Sequence, residues 1–187
     1  MLKRLLTASC LFALGIPVLL AQSLPTAKRR ADLQIGGGFV IDNSDYDPTN
    51  LKGFAFYTTL DLTNHYGGEF VIHQANSGTG DKLYERTYEI GPRYYRHYGR
   101  FAPYIKGMYG RGVFNYPEVP SLTPGGPPQG AAANLAYNIA AVGVGVDYRL
   151  TRSVNLRVEY EFQKWFGFPP NDLTPQVLAI GAAYRFH

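Results

Sequence analysis

Cysteine is almost absent. The 187-residue chain has one, Cys10, and it falls inside an N-terminal leader: basic Met1-Leu2-Lys3-Arg4, the apolar run Leu5 to Leu20, then Ala21-Gln22-Ser23. That order of basic, apolar and small residues reads as a secretory signal peptide over residues 1–21. Its removal leaves a chain with no disulfide framework, no thiol chemistry and no sulfur-ligated cofactor. Beyond the leader there is no run of about 18 apolar residues, so no membrane helix is expected. Charge of one sign is scarce too. The formal excess of +4 is halved when Lys3 and Arg4 leave with the leader, and nucleic acid, which needs a dense basic patch, is not an expected partner. Of the histidines, His65 and His97 fall in turns and His187 at the end, so no metal cluster and no cofactor are expected.

What is present is alternation. In LAYNIAAVGVGVDYRLTRSVNLRVEYEFQKW, Leu135 to Trp165, Val142, Val144, Val146 and Tyr148 take every second position, with Gly143, Gly145, Asp147 and Arg149 between them. After Leu150-Thr151-Arg152-Ser153 the pattern resumes: Val154, Leu156, Val158, Tyr160 and Phe162 against Asn155, Arg157, Glu159, Glu161 and Gln163. Strand side chains point to opposite faces in turn, so this is an antiparallel pair with one apolar and one charged face. Each arm exceeds the roughly 9 to 11 residues that a tilted strand needs to cross a bilayer.

The same period predicts further strands near Asp32 to Phe39, Gly53 to Leu62, Gly68 to Ala75, Leu83 to Tyr95, Ala102 to Phe114 and Pro175 to Phe186. Together they make an all-β, eight-stranded antiparallel up-and-down transmembrane β-barrel over residues 32–187, behind a periplasmic lead-in at 22–31. Links after the second, fourth and sixth strands are short, while Ile41 to Lys52, Asn76 to Lys82, Asn115 to Asn134 and Phe166 to Thr174 are longer. This alternation of link length is that of periplasmic turns and outward loops, with both termini periplasmic.

A soluble lipocalin-like barrel that binds a ligand would turn its apolar face inward. Three features favour the opposite arrangement. Gly36, Gly38, Gly91, Gly110, Gly112, Gly143, Gly145 and Gly181 crowd the charged face, where a narrow lumen needs room. The apolar face is uniformly bulky. Aromatic residues gather near the strand ends, as interface girdles do; the expected girdle is Tyr84, Tyr94, Tyr104, Tyr109, Tyr148, Trp165, Tyr184 and Phe186, with Phe39, Phe114 and Phe166 beside it.

The leader, VGVGVDYRLTRSVNLRVEYEF and the ending IGAAYRF resemble the outer-membrane protein β-barrel domain family, the general group of the OmpA N-terminal barrel. The resemblance covers the mature chain and implies an integral, monomeric barrel in outer-membrane lipid of a bacterium. It also implies that the barrel-assembly machinery acts on the chain during biogenesis, reading an aromatic residue near the end, here Phe186.

Turned inward, Glu69, Glu85, Glu89, Arg93, Lys106, Asp147, Arg149, Arg157, Glu159 and Glu161 would form a mixed-sign interior. Buried charges must be paired, so a plugging ion-pair network is expected, with a small-solute pore as the alternative. An enzyme reading would need His73 as base and Ser77 as nucleophile near a rim, with Glu85 or Asp81 orienting the histidine. That spacing matches no family motif, and His73 is expected to be a hydrogen-bonded lumen residue in a non-catalytic barrel. The loops, carrying Tyr116, Leu122, Phe166 and Phe168, are the remaining surface for an unidentified partner.

Overall fold

In the computed structural model, residues 31–46, 49–78, 83–115, 134–169 and 171–186 are described. The signal peptide at 1–21 and nearly all of the lead-in at 22–31 lie outside the described residues, as do Asp81, Tyr116 and Leu122. Eight strands follow one another: β1 Asp32–Asn43, β2 Leu51–Asp61, β3 Tyr66–Asn76, β4 Tyr84–Tyr95, β5 Phe101–Asn115, β6 Asn134–Arg149, β7 Val154–Phe166 and β8 Gln176–Arg185. Each pairs antiparallel with its chain neighbours, and β8 returns to β1 through Gln34↔Arg185 to Asn43↔Gln176. Closure leaves no sheet edge with unpaired backbone groups.

β1, β2, β3 and β5 overrun their expected ends on the loop side, while β4 and β8 begin one residue late. The first continues past Phe39 to Asn43 because Val40, Ile41 and Asp42 are paired on both flanks, with Gly53, Lys52 and Leu51 on β2 and with Ala179, Leu178 and Val177 on β8. In a closed barrel the ladder, and not the local composition, sets where a strand stops. At the other end the links are tight. Leu62 and Thr63 both donate to Tyr66 O at 3.0 Å, and Tyr98 and Phe101 exchange hydrogen bonds of 2.7 and 3.1 Å across Gly99, whose φ of 63° suits glycine.

The period-two pattern divides outside from inside. Val158 is 52% exposed, Ile180 56% and Ile90 66%, while Arg157 and Glu159 on the same β7 are 3% exposed. Bulky apolar side chains therefore form the outer wall and the charged ones face the axis. The inward glycines are notches. A Cβ at Gly143 would meet Lys106 Cε at 2.7 Å, one at Gly112 the Trp165 ring at 2.5 Å, and one at Gly36 the Tyr57 ring at 2.5 Å.

Two expected girdle residues are corrected by this parity. Tyr104 shares its face with Lys106 and is 5% exposed; Trp165 shares its face with Gln163 and is fully buried. Phe114 is likewise buried. Trp165, Phe114, Leu51, Leu83, Ile139, Phe168 and Leu173 pack into an apolar cluster inside the loop-side mouth. Phe168, expected in the outward display, is 3% exposed because the β7–β8 loop folds back: Trp165 N–H donates to Leu173 O at 2.8 Å, and the Phe114 and Phe168 rings lie 4.9 Å apart. The remaining girdle residues sit on the outer wall. Tyr109 and Tyr184 are 59% and 53% exposed, Phe186 41%, and Tyr84, Tyr94 and Tyr148 are half-buried. On the turn side these aromatics meet in pairs, Tyr66 with Tyr94, Phe101 with Tyr148 and Tyr184 with Phe186.

Candidate functional site

The lumen contains two connected groups of charges. Alternate residues of β7 point to the axis, so Asn155, Arg157, Glu159, Glu161, Gln163 and Trp165 form a column from the turn side to the loop side. Facing them are Glu69 and His73 of β3, Glu89 and Arg93 of β4, Lys106 of β5 and Asp147 of β6, all buried.

The turn-side group is a quartet. Arg157 reaches Asp147 Oδ1 through Nε at 2.8 Å and Glu69 Oε2 through Nη1 at 2.7 Å. Arg93 pairs with Asp147 and lies 3.6 Å from Glu69. Thr59 donates to Glu69 at 2.9 Å. The guanidinium of Arg157 lies over the Tyr57 ring at 4.0 Å, and that of Arg93 over Tyr104 at 3.8 Å. Each charge is thus matched by an opposite charge, and each guanidinium also by a ring face, as burial of charge requires.

The loop-side group centres on Lys106. Its ammonium contacts Glu69 at 3.0 Å, Glu159 at 2.7 Å and Glu161 at 2.8 Å. Tyr104 donates to the other oxygen of Glu159. Glu89 accepts from Thr87 at 2.5 Å and from Gln163 at 3.0 Å, and Gln163 also donates to Glu161 at 2.8 Å. Gln163 is held in turn by Trp165 Nε1 at 3.0 Å, which couples the polar network to the apolar cap. His73 lies in this group, with Nδ1 at 3.2 Å from Thr87 Oγ1 and 3.4 Å from Glu89.

Eight of the ten expected lumen residues therefore lie in these two groups. Glu85 is inward and buried but further toward the loops, where Ser44 donates to it at 2.5 Å. Arg149 stands apart. It is half-buried at the turn-side rim beside Arg100, whose carbonyl accepts its N–H at 2.8 Å, and among the described residues it makes no ion pair. Its position at the last residue of β6 puts it beyond reach of the carboxylates near the axis. It acts instead on His97 in the adjacent turn, which is held below the usual histidine range by partial burial and then by the charges of Arg149 and Arg185.

Of the residues weighed for catalysis, His73 is directed into the lumen toward Thr87 and Glu89, while Ser77 lies at the loop-side rim and donates its peptide N–H to Leu83 O at 2.9 Å. One grouping was not legible beforehand: ligand atoms of His73, Glu159 and Glu161 lie within 4.8 Å of one another. Sequence inspection looks for histidine and acid at short spacing. Here β3 and β7 bring them together across the barrel.

The model of the outer membrane protein beta-barrel domain matches residues 8–186. The chain belongs to that family. It is accordingly an integral β-barrel of the bacterial outer membrane, with lipid against the bulky outer wall, and the lipocalin-like alternative is set aside. Solved structures agree in fold. Ail, the attachment invasion locus protein of Yersinia pestis, solved with the heparin analogue sucrose octasulfate, is 18% identical, with 84% of this chain and 99% of that one covered and a TM-score of 0.58. The N-terminal β-barrel domain of Pseudomonas aeruginosa OprF is 12% identical, with 83% and 97% covered and a TM-score of 0.58. Neisserial surface protein A is 13% identical, with 83% and 97% covered and a TM-score of 0.56. A search of curated proteins finds no match.

Proposed function

We propose that this outer-membrane barrel has a structural or surface-interaction role, non-catalytic and monomeric, with a lumen plugged by its ion-pair network. The observation that carries the reading is the crossing of the axis by Lys106, Arg157 and Arg93, which tie β3, β4, β5, β6 and β7 together through Glu69, Asp147, Glu159 and Glu161. A barrel of about eight strands has an interior just wide enough for side chains, and the apolar cluster around Trp165 adds a second obstruction. Planar-bilayer recording of the reconstituted protein is expected to show no steady conductance at neutral pH; large, stable openings would instead favour the small-solute pore.

The surface half of the reading rests on the loops. In this proposal the leader at 1–21 is removed, both termini are periplasmic, the barrel-assembly machinery inserts the chain, and the long links face outward. The 116–133 segment, with its prolines, is the longest link in the sequence. Deleting Glu118 to Gln129 is expected to abolish attachment of expressing cells to a surface while heat-modifiable mobility shows the barrel intact. Unchanged attachment would confine the protein to a structural role.

A further inference from the structure

The two lumen groups differ in charge. In the turn-side quartet, Arg93 and Arg157 match Glu69 and Asp147 one for one. In the loop-side group, Glu89, Glu159 and Glu161 face the single ammonium of Lys106, which is also shared with Glu69. His73 lies 3.4 Å from Glu89 and 3.9 Å from Glu161. With His73 as the neutral imidazole, three carboxylates against one ammonium leave two negative charges without a match, in a space where Glu89, Glu159, Glu161 and Lys106 are each at most 3% exposed. Uncompensated charge in such a place is very costly. Glu85, two inward positions further along β4, and Asp42 of β1, which contacts it, are themselves acids and supply no positive charge.

Inside this anionic group are unused donors. His73 is 3% exposed, and its Nε2 has no hydrogen-bond partner among the described residues; neither has Oε2 of Glu89. A ring nitrogen of His73 and a carboxylate oxygen each of Glu159 and Glu161 lie within 4.8 Å of one another, close enough to converge on one ion with small side-chain movements. One imidazole with two carboxylates, completed by water, is a donor set for zinc-like divalent ions and lacks the all-oxygen character that calcium or magnesium prefers.

We propose that the lumen binds one divalent cation of this borderline class through His73, Glu159 and Glu161, with Glu89 fixing His73 through Nδ1. Its two charges close the balance: Lys106 and the ion neutralise Glu89, Glu159 and Glu161, and the turn-side quartet stays neutral by itself. Lys106 keeps Glu69 when the ion takes Glu159 and Glu161. The Trp165 cluster covers the loop-side mouth, so the ion enters as the barrel closes and is held against chelators afterwards. The site rests on the charge pattern and stands whether or not the lumen conducts.

The test uses untagged full-length protein refolded with excess Zn2+ or Mg2+, passed over a chelating resin and assayed for metal by mass spectrometry, with folding followed by heat-modifiable mobility. Wild type is expected to retain about one zinc per chain and no magnesium. His73→Gln and Glu161→Gln should retain less than about a tenth of that, whereas a turn-side His97→Gln control should match wild type. Removing the competing ammonium with Lys106→Met should raise zinc retention at limiting zinc. Folded wild type with no more zinc than folded His73→Gln would overturn the site and assign the balance to bound protons. If His73→Gln does not fold, wild type decides alone: a urea midpoint raised by zinc but not by magnesium supports the site, and equal midpoints sink it.

Discussion

Replacing Arg157 by leucine is expected to destabilise the barrel by about 3 to 5 kcal/mol, the cost of leaving buried partners of a removed charge without compensation. Arg157 makes more hydrogen bonds within the turn-side group than Arg93 does. It holds Asp147 at 2.8 Å, Glu69 at 2.7 Å and Thr59 at 3.2 Å, and its guanidinium faces the Tyr57 ring. Without it, Glu69 and Asp147, both buried, are left to Arg93 and Lys106. The protein carries its own reporter, because its one tryptophan, Trp165, is fully buried in the lumen. Urea unfolding in micelles followed by Trp165 fluorescence reads the loss directly. Adding Glu69→Gln to Arg157→Leu removes one orphaned charge and should recover part of it, since contacting residues are not additive. A single-variant loss below about 1 kcal/mol would mean that the lumen is well hydrated and the ion pairs contribute little.

Val158→Arg should cost about 2 to 4 kcal/mol or block assembly, as arginine at the bilayer midplane of a barrel wall does. Val158 lies in the middle of β7, with Val146 of β6 and Ile180 of β8 as its cross-strand partners. All three are exposed on the outer wall, so an arginine there meets only hydrocarbon. Asn155→Arg on the same strand should be milder. Asn155 faces inward near the turn-side rim, where its Nδ2 donates to Gln34 Oε1 at 2.8 Å, and a long side chain there can extend toward water. The same unfolding measurement ranks the two, and the reverse order would place water and not lipid outside the barrel.

The division between these two predictions was legible in the sequence. Alternation along Val154 to Gln163 already stated which residues share a face, and glycines opposite large polar residues already stated which face is crowded. The pairing of Gly143 with Lys106 is the structural reason: without the notch the lysine has no room. The girdle was read less well. Tyr104 and Trp165 have the composition and the strand-end position of interface aromatics, yet both obey the parity of their strands and turn inward, Tyr104 to Glu159 and Trp165 to Gln163. Where position near an end and parity disagree, parity wins, because a strand cannot rotate one side chain to the other face without a bulge. The inward folding of Phe168 was not legible at all, since nothing local to FGFPPNDLT specifies that Leu173 will pair with Trp165.

By itself the sequence determined the strand count, the antiparallel order and the sorting of apolar from charged residues, because each follows from a period of two that is local to the chain. Only the tertiary structure decided which charges meet. Closing the barrel sets β3 across from β7, and with them His73 and Glu69 beside Glu161 and Arg157, partners 88 residues apart in each case. Shear and registry of the closed ladder fix those neighbours, and neither is written in any single strand.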